Sequence, residues 1–203
     1  MKKAIFISYC WKEPSQSIVR NWLCKSLRRR NYEPIIDVDR CGYRDNIDEF
    51  EKKIGRGEAV IVVINRSYLE SKECMYELSL LYQNERFKER IFPLNIDNKN
   101  FGEHSFYIKD CNYWDNQISV IEEELSRVEE PSDTFLNDDL TKFKTIKKNL
   151  PNFFRYFYRY NLKDFDYLSK DNFQNLIDEI DGKHHALELL YNSDKLINED
   201  TFI

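Results

Sequence analysis

The stretch AVIVVINRSYLESKECMYEL (residues 59–78) decides the fold. Its first part, AVIVVIN (59–65), is an unbroken apolar run rich in β-branched residues. That is the pattern of a strand buried on both faces, as in a parallel sheet. A short turn follows, and helical spacing then runs through Leu78, Leu81 and Tyr82. Strand, turn and helix in that order put the first helical turns at the carboxyl end of a parallel sheet, where open α/β sheets bind their ligands. Glu77 sits there. A carboxylate at that edge has two readings: a partner for sugar hydroxyls and a developing cation, or an exposed helix glutamate.

Outward from this stretch, strand and helix alternate over the first 130 residues. KAIFISY (3–9), EPIIDVD (33–39) and RIFPLNI (90–96) read as strands, and FYIKDCNYW (106–114) as holding a short fifth. Pro93 cannot donate to a ladder, which points to an end or edge position. Residues 15–30 have helical spacing, with Ile18, Trp22, Leu23 and Leu27 on one face. Arg28, Arg29 and Arg30 close that helix, where positive charge complements the helix dipole. Ile47, Phe50 and Ile54 mark another helix, ended by Gly55 and Gly57. Residues 115–128 place Ile118, Ile121 and Leu125 on one face of a last helix. This alternation predicts a parallel sheet covered on both faces.

Composition narrows the function classes. The formal net charge is −5, so the molecule as a whole has no general attraction for nucleic acid. No apolar run approaches the roughly 20 residues of a membrane helix, and the N-terminus lacks a signal-peptide pattern. A cytoplasmic protein is expected. Five cysteines without CxxC pairing, and histidines not spaced with them, read as reduced thiols and no metal site. GxGxxG, GxxxxGK[ST] and GxSxG are absent, so the corresponding nucleotide and hydrolase chemistries find no support.

A breaker cluster, Glu129–Asp133, separates a first domain (1–130) from a helical C-terminal extension (131–203). Candidate helices there cover 134–149, 151–161 opened by Pro151, 171–180 and 183–191, packed on the first domain or on another subunit. Between Lys142 and Lys163 lie seven basic residues and no acidic one, around the aromatic run Phe153–Tyr160. Three readings stand: aromatics packed inward with solvated arginines, a protein interface, and, third, stacking on bases.

Four pieces carry a family resemblance. Phe6-Ile7-Ser8-Tyr9 looks like the first signature box of TIR domains. Ile36-Asp37-Val38-Asp39, running into the Gly42 loop, is similar to the second box and its BB loop. Tyr113-Trp114 resembles the third. Ser71-x-x-Cys74-x-x-Glu77-Leu78 resembles the segment that bears the catalytic glutamate in enzymatic members. The resemblance covers residues 1–130. It implies a flavodoxin-like three-layer fold with a five-stranded parallel sheet and, in many bacterial and plant members, cleavage of NAD+ as substrate.

By that resemblance Glu77 is catalytic, and Ser8, Tyr9, Trp11, Asp37, Arg40 and Cys74 fall at or beside positions lining the nucleotide cleft. Each keeps a bland reading. Tyr9 fits packing as well as ligand contact, Asp37 fits the ordering of its loop, and Cys74 fits a small buried helix residue. Arg40, Cys41, Gly42, Tyr43 and Arg44 form the expected interaction loop, through which copies of the chain would assemble. Some enzymatic members carry a tryptophan four positions before the glutamate, where this chain has Glu73. The architecture resembles stand-alone bacterial antiphage TIR proteins of Thoeris-like systems. That resemblance implies a phage-derived trigger and a separate effector that senses the product. The competing expectation is a non-enzymatic TIR–TIR module or host-signalling mimic.

Overall fold

The computed structural model describes residues 3–36, 59–83, 87–97, 103–127, 134–159 and 164–183. Among the described residues, four parallel strands form the sheet: β1 (Lys3–Tyr9), β2 (Tyr32–Ile36), β3 (Ala59–Ile64) and β4 (Ile91–Asn95). Their order is β2-β1-β3-β4, with Ser8 opposite Val62 and Val62 opposite Pro93. β4 is therefore an edge strand of the described sheet, and Pro93 sits where a missing donor is tolerated. The expected helix around 47–54 lies outside the described residues.

The expected fifth strand is corrected. Residues 106–114 belong to a helix, His104–Arg127. The physical reason is legible in the side chains that meet the core. Tyr107, Cys111, Trp114, Ile118 and Ile121 recur at alternating steps of four and three, the period of a helix face. Beyond β4 there is one isolated parallel bridge, between Asn95 and Asp164.

The helices are α1, built from Ser15–Ile18, a π-helical turn Val19–Leu23 and Cys24–Arg29; α2 (Arg66–Leu69); α3 (Lys72–Tyr82); α4 (Phe87–Arg90); α5 (His104–Arg127); α6 (Thr134–Arg159); α7 (Phe165–Lys170); and α8 (174–183). Two cores result, one on each face of the sheet. Val60, Val62 and Ile64 of β3 meet α2, α3, α5 and α6. Ala59, Ile61 and Val63 meet α1, α7 and α8. The continuous apolar run of β3 is thus spent equally on both sides, as a central parallel strand requires. In α1 the buried positions are Val19, Leu23 and Leu27, and Trp22, expected on the inner face, is 56% exposed. Its ring meets Phe165 edge-on.

α6 corrects a second expectation. Two helices broken at Pro151 were expected, and one helix of 26 residues runs through it. An interior proline costs about 3 kcal/mol. Ile146, Leu150, Phe153 and Phe157 on the same helix are each at most 1% exposed. Each such burial contributes about 1.5–3 kcal/mol, which outweighs the proline. The aromatic run therefore packs inward: Phe153, Phe154, Tyr156 and Phe157 are buried, and the Tyr156 hydroxyl donates to the Ile91 carbonyl at 2.8 Å. The basic residues of α6 find acids on α3 and α5. Lys144 meets Glu122 at 2.8 Å, Lys147 pairs with Asp115, and Lys142 lies 3.8 Å from Glu73. On α3, Lys72 reaches back to Asp139 of α6 at 2.8 Å. The helices beyond residue 131 supply part of both layers over the sheet.

Candidate active site

Alternation along β1 sorts its residues between the two faces. Ile5, Ile7 and Tyr9 enter the α1 core, and Phe6 and Cys10 enter the α3 core. Ser8 follows Phe6, and its Oγ lies 3.0 Å from the Tyr68 hydroxyl. Ser8 and Cys10 thus stand at the carboxyl end of β1, on the side that carries Glu77.

Two consecutive caps shape the segment after β3. Asn65 is extended, and its side chain accepts from the Tyr68 N–H at 2.8 Å, which starts α2. The same side chain donates to Ser15 Oγ at 2.9 Å and so ties α2 to the start of α1. Ser71, also extended, accepts from the Cys74 N–H at 3.4 Å and starts α3. Side-chain oxygens at these N-caps satisfy amides that the helix leaves unpaired. Glu77 follows less than two turns into α3 and is half-buried.

Arg66 locks this segment from below. Its N–H donates to Asp97 Oδ2 at 2.7 Å, and its guanidinium pairs with both Glu70 and Asp110. The Tyr113 hydroxyl donates to the Glu70 carbonyl at 2.9 Å. Asp110 is fully enclosed, and its Oδ2 has no partner among the described residues. Burial pushes the Asp110 carboxyl up to about 6, against the opposing pull of Arg66.

Around Glu77 the polar groups form one cluster. Burial first, then the nearby Cys74 and Glu77, holds the Tyr68 phenol well above its ordinary value. The Tyr68 hydroxyl also donates to the Cys74 carbonyl at 3.4 Å. The neighbouring Cys10 thiol raises Cys74 and is itself lowered by it, and burial and the Glu77 carboxylate raise Cys74 further. Ser8, Cys10, Cys74 and Glu77 are thus each within hydrogen-bond or electrostatic reach of Tyr68 at the carboxyl edge of β1 and β3.

The other expected site residues divide. Trp11, immediately after this edge, is 56% exposed, which leaves its ring face available for stacking. Tyr9 lies in the α1 core, and its hydroxyl has no partner among the described residues. Glu73 turns outward to Lys72 and Lys142. Asp37, Arg40, Cys41, Gly42, Tyr43 and Arg44 lie outside the described residues. Tyr68 and Cys10 were not singled out as site residues on sequence grounds. Only the two-residue step from Ser8 to Cys10 along the strand, and the single helical turn separating Tyr68 from β3, hinted at them. Among the described residues no group of His, Cys, Asp or Glu is placed to hold a metal ion, and no helix is long and apolar enough to cross a membrane.

A family model for the TIR domain matches residues 5–127. The chain belongs to the TIR domain family. Among solved structures it is similar to the TIR domains in the structure of the activated Roq1 resistosome directly recognizing the pathogen effector XopQ. That likeness has 18% identity and a TM-score of 0.53, and covers 88% of this chain and 99% of that chain. At this identity it speaks for the α/β fold with a parallel sheet. No curated protein matches the chain. The family match ends at the close of α5, and the TIR sheet is completed on its outer layers by helices that follow it.

Proposed function

We propose that this TIR chain cleaves NAD+ at the bond between nicotinamide and ribose, with Glu77 as the catalytic group. The observation that carries this reading is the setting of Glu77: half-buried, at the carboxyl edge of a parallel sheet, in a TIR domain. The chemistry asks little of the protein beyond one carboxylate. Nicotinamide leaves as a neutral molecule, so the leaving group needs little acid assistance. The ribosyl centre develops oxocarbenium character, as in glycoside cleavage. A carboxylate held against the ribose hydroxyls strengthens its interaction as that charge grows. Ser8 and Cys74 flank the sugar, and Trp11 offers a ring face for nicotinamide or adenine.

The acceptor at the ribosyl centre sets the product: water yields ADP-ribose, an atom of the same molecule a cyclic isomer, a second small molecule a conjugate. We assign the chain to antiphage signalling of the Thoeris-like kind, in which such a product reaches a separate effector after a phage-derived trigger. Its active form is a homo-oligomer joined through TIR–TIR contacts that include residues 40–44. A relative from a resistosome supports assembly as the active condition. The test is nicotinamide release by purified protein across a concentration series. Release that rises more steeply than protein concentration, and that vanishes in Glu77→Gln, is the expected result. Release that persists in Glu77→Gln removes the mechanism, and strict linearity down to monomer concentrations removes the assembly.

A further inference from the structure

One hydroxyl in the α3 core sits where three elements meet. Tyr68 of α2 is fully buried. Its hydroxyl lies 3.0 Å from Ser8 Oγ near the end of β1 and donates to the Cys74 carbonyl in the first turn of α3 at 3.4 Å. We infer that Tyr68 is a positioning residue for Glu77: its hydroxyl pins the turn of α3 that carries Glu77 to the end of β1. This role rests on the NAD+ reading for what Glu77 does, and on these contacts for how it is held. Glu77 follows Cys74 by three residues, one turn along the same helix face. A carbonyl held from outside the helix therefore fixes the height and rotation of the carboxylate one turn on.

The proton count makes the link directional. A carbonyl only accepts, so the single phenol proton goes to Cys74, and Ser8 in turn donates to the phenol. Burial holds the phenol well above its ordinary value, so the proton stays in place at neutral pH. The backbone of Tyr68 is anchored as well. Its N–H donates to Asn65 Oδ1 at 2.8 Å, its carbonyl accepts from the Ser71 N–H at 3.1 Å, and Asn65 donates to the buried Ser15. The ring is held at its base, and the hydroxyl at its tip reaches across to α3. Volume alone does not call for that hydroxyl. Phenylalanine would fill the same space, and a hydroxyl taken into a core costs free energy unless it is paired. Tyr156 gives the contrast on the same face of the sheet. It is 5% exposed, and its hydroxyl donates to the Ile91 carbonyl at 2.8 Å. Ile91 opens β4, at the opposite end of the parallel sheet from Glu77.

The test sets Tyr68→Phe beside Tyr156→Phe in the full chain. Each variant removes one buried hydroxyl and keeps the ring, so both should lower the thermal midpoint by a similar amount. Only Tyr68→Phe should lower kcat for nicotinamide release, by roughly 10- to 100-fold, the scale of a misplaced catalytic group. Its KM should stay within about twofold of wild type, because the hydroxyl orients Glu77 and does not bind substrate. Amide hydrogen exchange supplies a readout that needs no turnover. In Tyr68→Phe the amides of Met75–Leu81 should exchange roughly tenfold faster than in wild type, and in Tyr156→Phe they should not. An unchanged kcat in Tyr68→Phe, equal kcat losses in the two variants, or unaltered exchange in α3 overturns the proposal. A wild type that releases no nicotinamide, with α3 loosened by Tyr68→Phe alone, sustains the pin and counts against the NAD+ reading.

Discussion

The two faces of the sheet are built from alternate residues of the same strands and differ in kind. The α1 face is lined by Ile5, Ile7, Val19, Leu23, Ile61, Val63 and Leu94, and its polar atoms are mainly the Tyr9 and Tyr32 phenols and the Cys24 thiol. The α3 face buries comparable apolar side chains. It also admits the Ser8 and Tyr68 hydroxyls, two thiols and the Asp110 carboxylate. Polar groups in a core cost free energy unless they are paired. The Ser8 and Tyr68 hydroxyls are paired with one another, next to the half-buried Glu77. One face holds the fold together, and the other is the face on which we propose that the chemistry takes place.

The sharpest way to break this contrast is at Glu77. Glu77→Gln removes the charge and keeps the shape. The expected loss of nicotinamide release is roughly 100- to 1,000-fold, the scale of removing one group that stabilises transition-state charge. The thermal midpoint should hardly move. A Glu77→Gln protein that keeps its activity would leave the α3 face with no chemical distinction at all.

Stability should not distinguish the faces. Phe153 on the α3 side and Leu23 on the α1 side are both 0% exposed. Phe153→Ala is expected to cost about 3–5 kcal/mol and Leu23→Ala about 2–5 kcal/mol in urea unfolding. The Phe153 result also tests whether α6, which lies beyond the TIR match, belongs to the cooperative unit. A cost below about 1 kcal/mol would show that α6 packs without contributing to the fold.

Asp110 sharpens the contrast through pH. Its carboxyl is pushed up to about 6 by burial in the folded chain, partly offset by Arg66 and Lys109 and reinforced by Glu70. The unfolded value is about 3.9. The folded state therefore binds the proton more tightly than the unfolded state. Its contribution is fully present below about pH 4 and is lost as pH rises through about 6. The loss is on the order of 3 kcal/mol. The difference in unfolding free energy between wild type and Asp110→Asn should fall by that order between about pH 4 and 7. A flat difference would mean that Arg66 compensates the buried charge fully.

Legibility from sequence followed the same division. β1, β3 and β4 and the edge position of Pro93 were readable because apolar runs and proline report on the strand itself. The position of Glu77 on the helix that follows β3 was readable because strand, turn and helix place it without tertiary information. Residues 106–114 misled because their aromatics suit a strand, whereas the step from Tyr107 to Trp114 has the helical period. Pro151 misled because local propensity was weighed without the apolar face on either side of it. Tyr68 and Cys10 were not readable as site residues. Their proximity to Glu77 arises from strand alternation on β1 and from a buried phenol that bridges two elements.

The smallest expected effect concerns the basic edge of α6. Arg155 and Arg159 are exposed, while Phe153, Phe154, Tyr156 and Phe157 between and beside them are buried in the α3 core. The aromatic run is thus spent on packing, and the arginines are left as a solvated edge at the end of the helix. Arg159 lies in the last turn, where a positive charge is worth about 0.3–1 kcal/mol through the helix dipole. The double variant Arg155→Glu, Arg159→Glu should therefore change the unfolding free energy by about 1 kcal/mol or less. Its sedimentation and nicotinamide release should match wild type. A smaller assembly with an intact thermal midpoint would show instead that this edge, with the exposed Tyr158 beside it, is a contact surface. The α3 face would then carry a means of assembly as well as a site.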